Sequence, residues 1–254
     1  MRKLVWLLGI ATVLGAAAWK FAPELQKLAP QATLPDPGPK PNAARYASLC
    51  QELAARRQSL ATRWKKTRNA REKESIENEA RTALESQLPA MMRCWLGTPW
   101  DFNGTATEPG GGKIACGYFV ATLLRDAGFR VDRARLAQQA SENIMRSFLD
   151  AKACHRTAGQ PYDAFAAAVH AAEPGISIVG LDSHVGFLVN TADDFHMIHS
   201  SGSQPWCVVD EPSAEAGVLK RSNYRVTGHL TADRGVLRKW LSGDTIPVRV
   251  PGNT

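Results

Sequence analysis

Cys116 stands where a glycine-rich loop, Gly104 to Gly112, gives way to the apolar run Ile114-Ala115-Cys116-Gly117-Tyr118-Phe119-Val120, which reads as the opening of a helix. A thiol at a helix N-terminus feels the positive end of the helix dipole and unpaired backbone N–H groups, both of which favour the thiolate. A cysteine nucleophile also needs a base and a group that orients that base. Two segments offer them, Ser183-His184-Val185-Gly186-Phe187 and Met197-Ile198-His199-Ser200. Read as adjacent strands joined by the turn Thr191-Ala192-Asp193-Asp194, they bring His184 opposite His199 or Ser200 on one face, with Cβ atoms about 4.5–5.5 Å apart. His184 is then the expected base and His199 its orienting partner. Gly186 leaves room beside the base for a substrate or for the cysteine helix. The chemistry this implies is attack of sulfur on a carbonyl, with helix N–H groups holding the oxyanion. His196 lies one pleat out of phase with His199 and is expected to face away. For the same reason His196 and His199 diverge on a strand instead of pairing on a metal, and zinc-type cysteine pairs are absent, so no metal or other cofactor is expected.

The elements that must position these residues follow from the pattern around them. Residues 116–127 form the expected cysteine helix, closed by Gly128, with further helices at 133–148 and 162–172 and a last one at 235–241. Between them the pattern changes to short apolar runs bounded by turn residues, at 176–181, 184–190, 195–199, 207–209 and 224–230, which read as a mostly antiparallel sheet. Helices first and strands afterwards define an α+β layout. Ahead of this, residues 43–88 contain no glycine or proline, and Tyr46, Leu49, Leu53, Leu60 and Trp64 step at helical spacing. That stretch reads as one long helix or a helical hairpin, ended or bent by Pro89. Four segments result: 1–20, 21–42, a helical arm at 43–93 and a catalytic domain at 94–254.

Six prolines within residues 21–42 make that segment a semi-stiff linker. Met1-Arg2-Lys3 followed by the uncharged run 4–19, with Ala16-Ala17-Ala18 near its end, fits either a cleaved signal peptide or a short membrane anchor. Both imply an exported chain, periplasmic or extracellular. Export makes the five cysteines informative, because an odd number leaves one thiol over, and Cys116 is the candidate to stay free. Of the three pairings open to the rest, Cys50–Cys94 with Cys154–Cys207 is preferred, although buried unpaired cysteines are the equal alternative. The 254 residues are 44% apolar and 22% charged, which suits a folded chain. The net charge of +7 comes largely from Arg56 to Arg81, a solvated helix face or a contact for cell wall or membrane surface. No aromatic-interleaved basic motif is present, and nucleic acid is not an expected partner.

Four motifs occur in order: Gly97-Thr98-Pro99-Trp100 with Gly104, Ala115-Cys116-Gly117-Tyr118-Phe119, Ser183-His184-Val185-Gly186, and Met197-Ile198-His199-Ser200. In them the stretch from Leu96 to Ser201 resembles the NlpC-type cell-wall cysteine peptidases. The resemblance implies a papain-like α+β fold, its nucleophile helix packed on a mostly antiparallel sheet, and a catalytic triad of Cys116, His184 and His199. It implies substrate contacts at Trp100, Gly117 and Ser183, and a peptide or peptidoglycan stem-peptide amide as substrate. The chain departs from the family at Ala115, where an aspartate is usual, at Gly117-Tyr118 in place of Ser-Gly, and at Trp100 in place of a substrate-contacting tyrosine. The acyl-transfer machinery therefore carries over better than the substrate does. A thiol acyltransferase or esterase acting on lipid or small amides, and a catalytically silent binding module, are the alternatives.

Overall fold

The computed structural model describes residues 38–250. The signal or anchor segment at 1–20 and most of the linker lie outside the described residues. Asn42 accepts a hydrogen bond from the Arg45 N–H and starts helix α1 (Ala43–Lys66); Asn69 does the same for Arg71 and Glu72 at helix α2 (Ala70–Arg93). The two helices form a hairpin, and Pro89 does not end α2, which runs on to Arg93. Tyr46, Leu49, Leu53 and Leu60 of α1 and Ile76, Ala80, Leu84 and Leu88 of α2 are buried in the same core as helix α3 (Cys116–Asp126) and helix α8 (Arg234–Ser242). Arg57 fastens the hairpin to α8 by donating from Nε to the Trp240 carbonyl at 2.6 Å.

Among the described residues the sheet has six strands, all pairs antiparallel, in the order β1-β6-β2-β3-β4-β5. They are β1 (Cys154–Ala158), β2 (Gly175–Leu181), β3 (Val185–Asn190), β4 (Phe195–Ser200), β5 (Val208–Pro212) and β6 (Tyr224–His229). The period-2 alternation splits the central strands cleanly. Phe187 and Ile198 face α3, where Phe119 meets Phe187 edge-on at 6.2 Å between ring centres. Leu188, Met197, Val179 and Leu181 face the other side, under Phe165 of helix α6 (Tyr162–Ala171) and Leu219 of helix α7 (Gly217–Arg221). The α+β class expected from the sequence is thus the observed one.

Three expectations are corrected. The stretch 133–148 is two helices, α4 (Arg133–Ala137) and α5 (Ser141–Phe148), separated at Gln138–Ala140 where the chain packs on the first turn of α3. Strand β1 and helix α7 had no sequence signal, and β5 starts later and runs further than 207–209. All five cysteines are free thiols. Cys154 opens edge strand β1 while Cys207 adjoins β5 at the opposite edge, with four strands between. At about 4.8 Å per strand spacing their Cα atoms are far beyond the ~7 Å reach of a disulfide. Cys50 and Cys94 belong to the hairpin, and burial pushes the Cys50 thiol up to about 11.

Candidate active site

The backbone around Cys116 is fixed from three directions. Ala115 donates to the Gly104 carbonyl at 2.9 Å and Ile114 to the Pro99 carbonyl at 2.9 Å, which folds the glycine-rich loop against the start of α3. The buried Ser200 hydroxyl, one residue beyond His199, donates to the Ile114 carbonyl at 2.7 Å and ties β4 to the same point. Arg133 donates to the Thr105 and Ala106 carbonyls and stacks over the Tyr118 ring at 4.8 Å. Ala115 is the N-cap of α3 and offers no side-chain bond, so no capping side chain occupies the N–H groups of the first turn. Gly117 is required for packing: a Cβ at this position would lie 2.3 Å from the Ala137 carbonyl oxygen.

The two histidines meet, though not as directly opposed residues. The β3–β4 ladder pairs Phe187 with Ile198 and Leu188 with Met197, and extending it brings Gly186 across from His199. A Cβ on Gly186 would sit 2.8 Å from the His199 Cβ, so the space this glycine leaves is taken by His199 and not by substrate or the cysteine helix. His184 stands diagonally across from His199, just before β3, a separation that rings can bridge. Its Nε2 lies 2.8 Å from His199 Nδ1, the rings nearly perpendicular with centres 4.7 Å apart. His199 is buried, and its Nε2 lies 3.0 Å from Oε2 of Glu211 on β5. Glu211 continues the same diagonal, because the β4–β5 ladder sets it beside Met197, two residues from His199.

These bonds assign the protons. With the Glu211 carboxylate oxygen as acceptor, His199 carries its hydrogen on Nε2 and its Nδ1 accepts. His184 must then donate from Nε2, which leaves the lone pair on its Nδ1. Glu211 was not a sequence candidate. The one available signal was its alternation with Val209, and it was hidden because the run appeared to stop before Asp210-Glu211-Pro212. His196 faces away as expected, its Nδ1 2.7 Å from Oδ1 of Asp210.

Cys116, His184 and His199 line one pocket of about 840 Å³, together with Trp100, Gly117 and Ser183. Every residue picked from the sequence as catalytic or substrate-binding is therefore at this pocket, though Gly117 earns its identity from packing. The electrostatics differ from the expectation of a ready thiolate. Burial pushes the Cys116 thiol up, and the backbone N–H groups of Val185, Gly117 and Cys116 itself only partly oppose it. Burial, with the neighbouring His199, pulls His184 down to about 3. The sulfur's partners are those N–H groups and not the imidazole. The resting pair is a neutral thiol beside a neutral imidazole. Among the described residues, no group of three or more His, Cys, Asp or Glu side chains is arranged to hold a metal ion, and no helix is long and apolar enough to cross a membrane. Comparison with protein-family models, with curated proteins and with solved structures gave no match.

Proposed function

We propose that this chain is an exported thiol hydrolase of papain-like, NlpC-type design that cleaves an amide through an acyl-enzyme. The observation that carries the reading is the directed chain Glu211–His199–His184, which ends at a pocket holding a cysteine on an uncapped helix N-terminus.

The steps follow from the proton assignment. As Cys116 Sγ attacks the carbonyl carbon, its proton passes to His184 Nδ1, the nitrogen with the free lone pair. The imidazolium is stabilised through His199 by the Glu211 carboxylate. The first-turn N–H groups of α3 hold the oxyanion, undisturbed by any capping side chain. His184 returns the proton to the departing amine as the C–N bond breaks, leaving a thioester. Water, deprotonated by His184, then attacks; the C–S bond breaks and the sulfur recovers the proton. Because the resting pair is neutral, proton transfer accompanies attack and does not precede it.

A peptide or peptidoglycan stem peptide is the substrate class that the four motifs support. Trp100 and the aromatic side chains beside it favour a second reading within the same chemistry, acyl transfer or ester cleavage on an apolar substrate. The test is incubation of the protein, intact and as Cys116→Ala, with purified peptidoglycan fragments, read by mass spectrometry. New stem-peptide fragments from the intact protein alone are expected. Fragments from both proteins overturn the nucleophile.

A further inference from the structure

We propose that the pocket selects an acyl substrate bearing an anionic group, carboxylate or phosphate, bound by Arg221, with a flat apolar portion laid against Trp100 and Phe102. The inference rests on the thiol-hydrolase reading of the site and names what that site takes.

Charge is the first observation. Of the described residues lining the pocket, none is a carboxylate, and Arg221 is the only one with a fixed positive charge. A substrate presenting a free ammonium finds no counter-charge there, whereas an anion finds a guanidinium that is exposed and, among the described residues, has neither an ion pair nor a hydrogen bond. Most other arginines of the chain are committed: Arg63 to Glu79, Arg81 to Glu85, Arg93 to Asp210, Arg156 to Glu142 and Arg234 to Glu77. Arg221 is also presented from a fixed platform. The buried Arg225 donates from Nε to the Leu219 carbonyl at 2.9 Å and from Nη2 to the Lys220 carbonyl at 3.2 Å, clamping the end of α7 that carries Arg221. A guanidinium is suited to bidentate capture of planar or tetrahedral oxyanions.

Apolar exposure is the second, independent observation. Among the described residues, the large hydrophobic side chains left exposed are Phe102, at 79%, and Trp206, at 48%. Both are at this mouth: Phe102 lines the pocket, and Trp206 packs on Trp100 with ring centres 5.5 Å apart. Trp206 holds φ at 58°, a left-handed conformation costly for a bulky residue. Its carbonyl receives the Trp100 N–H at 2.7 Å, so the strained turn positions the Trp100 backbone. An open aromatic wall and a guanidinium line the same pocket and describe one ligand with an apolar and an anionic part.

The test uses a matched series on phenylalaninamide, in which only the N-substituent changes: succinyl, phosphonoacetyl, acetyl, or none, which leaves the ammonium. Binding is measured by tryptophan fluorescence and calorimetry on full-length Cys116→Ala, so the readout does not depend on turnover. The succinyl or phosphonoacetyl compound is expected to bind about tenfold tighter than the acetyl one, a charge-assisted pair's difference, with the ammonium form weakest. Arg221→Gln should remove the preference and its salt dependence, and Trp100→Ala should weaken all four. Which anion binds tighter separates a carboxylate-bearing from a phosphate-bearing substrate. Equal affinity for charged and neutral forms, tightest binding of the ammonium form, or a preference unchanged in Arg221→Gln overturns the proposal. The same N-substituents on phenylalanyl aminocoumarin, given to the intact protein, test catalysis separately. Anions that bind but are never cleaved leave the anion site standing and sink the hydrolase.

Discussion

Glu211 turns a pair of histidines into a relay with a direction. Two neutral imidazoles in contact can pass their shared hydrogen either way; a carboxylate at one end removes the choice. Glu211→Gln keeps the size and can still accept from His199, but in the proposed mechanism it withdraws the charge that would stabilise an imidazolium at His184. The expected result is a fall in kcat of about 10² with KM little changed; steady-state kinetics on any cleaved amide reads it. A KM effect alone would make Glu211 structural. His184 gives a second prediction from its depressed pKa. Between about pH 6.5 and 3 the unfolded chain takes up a proton at this position that the folded chain refuses. Folding stability is therefore unaffected by His184 above pH 6.5 and falls as the solution is acidified below it. His184→Asn should flatten the loss of melting temperature between pH 7 and 5, as followed by circular dichroism.

At the scale of the element, the cysteine helix and the β3–β4 hairpin were legible because their signals are local. Hydrophobic alternation in Val185–Asn190 and Phe195–Ser200 fixes each face, and the four-residue turn fixes their pairing. The register was one step less legible, since nothing in the sequence says that His199 fills the notch at Gly186. The break at Gln138–Ala140 was not legible either. Every residue there favours a helix, and the reason for the break is tertiary, the seat that Gly117 offers to the Ala137 carbonyl. Strand β1 was missed because Cys-His-Arg-Thr-Ala at a sheet edge has almost no buried face to betray it. Gly117→Ala tests this account. Its added methyl meets backbone that cannot yield, and the expected cost is about 1–3 kcal/mol in urea unfolding, with loss of the Cys116 geometry. A variant as stable as the parent would show that α4 is free to move.

At the scale of the whole molecule, the α1–α2 hairpin is a brace and not a cover over the pocket. None of its residues lines the pocket, while its apolar stripe lies in the main core and Tyr46 reaches Asp126 at the end of α3 through a 2.8 Å hydrogen bond. Its charges brace as well. The buried Glu77 takes Arg234 at 3.1 Å and Arg238 at 2.8 Å from α8. Residues 94–254 expressed alone should therefore be a dye-binding, poorly cooperative chain, with no gain of activity; near-ultraviolet circular dichroism and calorimetry distinguish the outcomes. An active, folded fragment would make the hairpin a regulator. The long apolar stripe made the hairpin visible in the sequence, but its partner, α8, lies about 150 residues away along the chain.

The relay also has a back. It starts at the pocket and finishes on β5, the last strand of the sheet, where the Glu211 side chain keeps 23% of its surface in water and lines no part of the pocket. A substrate that fills the pocket seals His184 from solvent while Glu211 stays wet. In the proposed reaction, acid can then reach the carboxylate behind the two histidines without passing the substrate, and saturating substrate should not protect kcat from loss at acid pH.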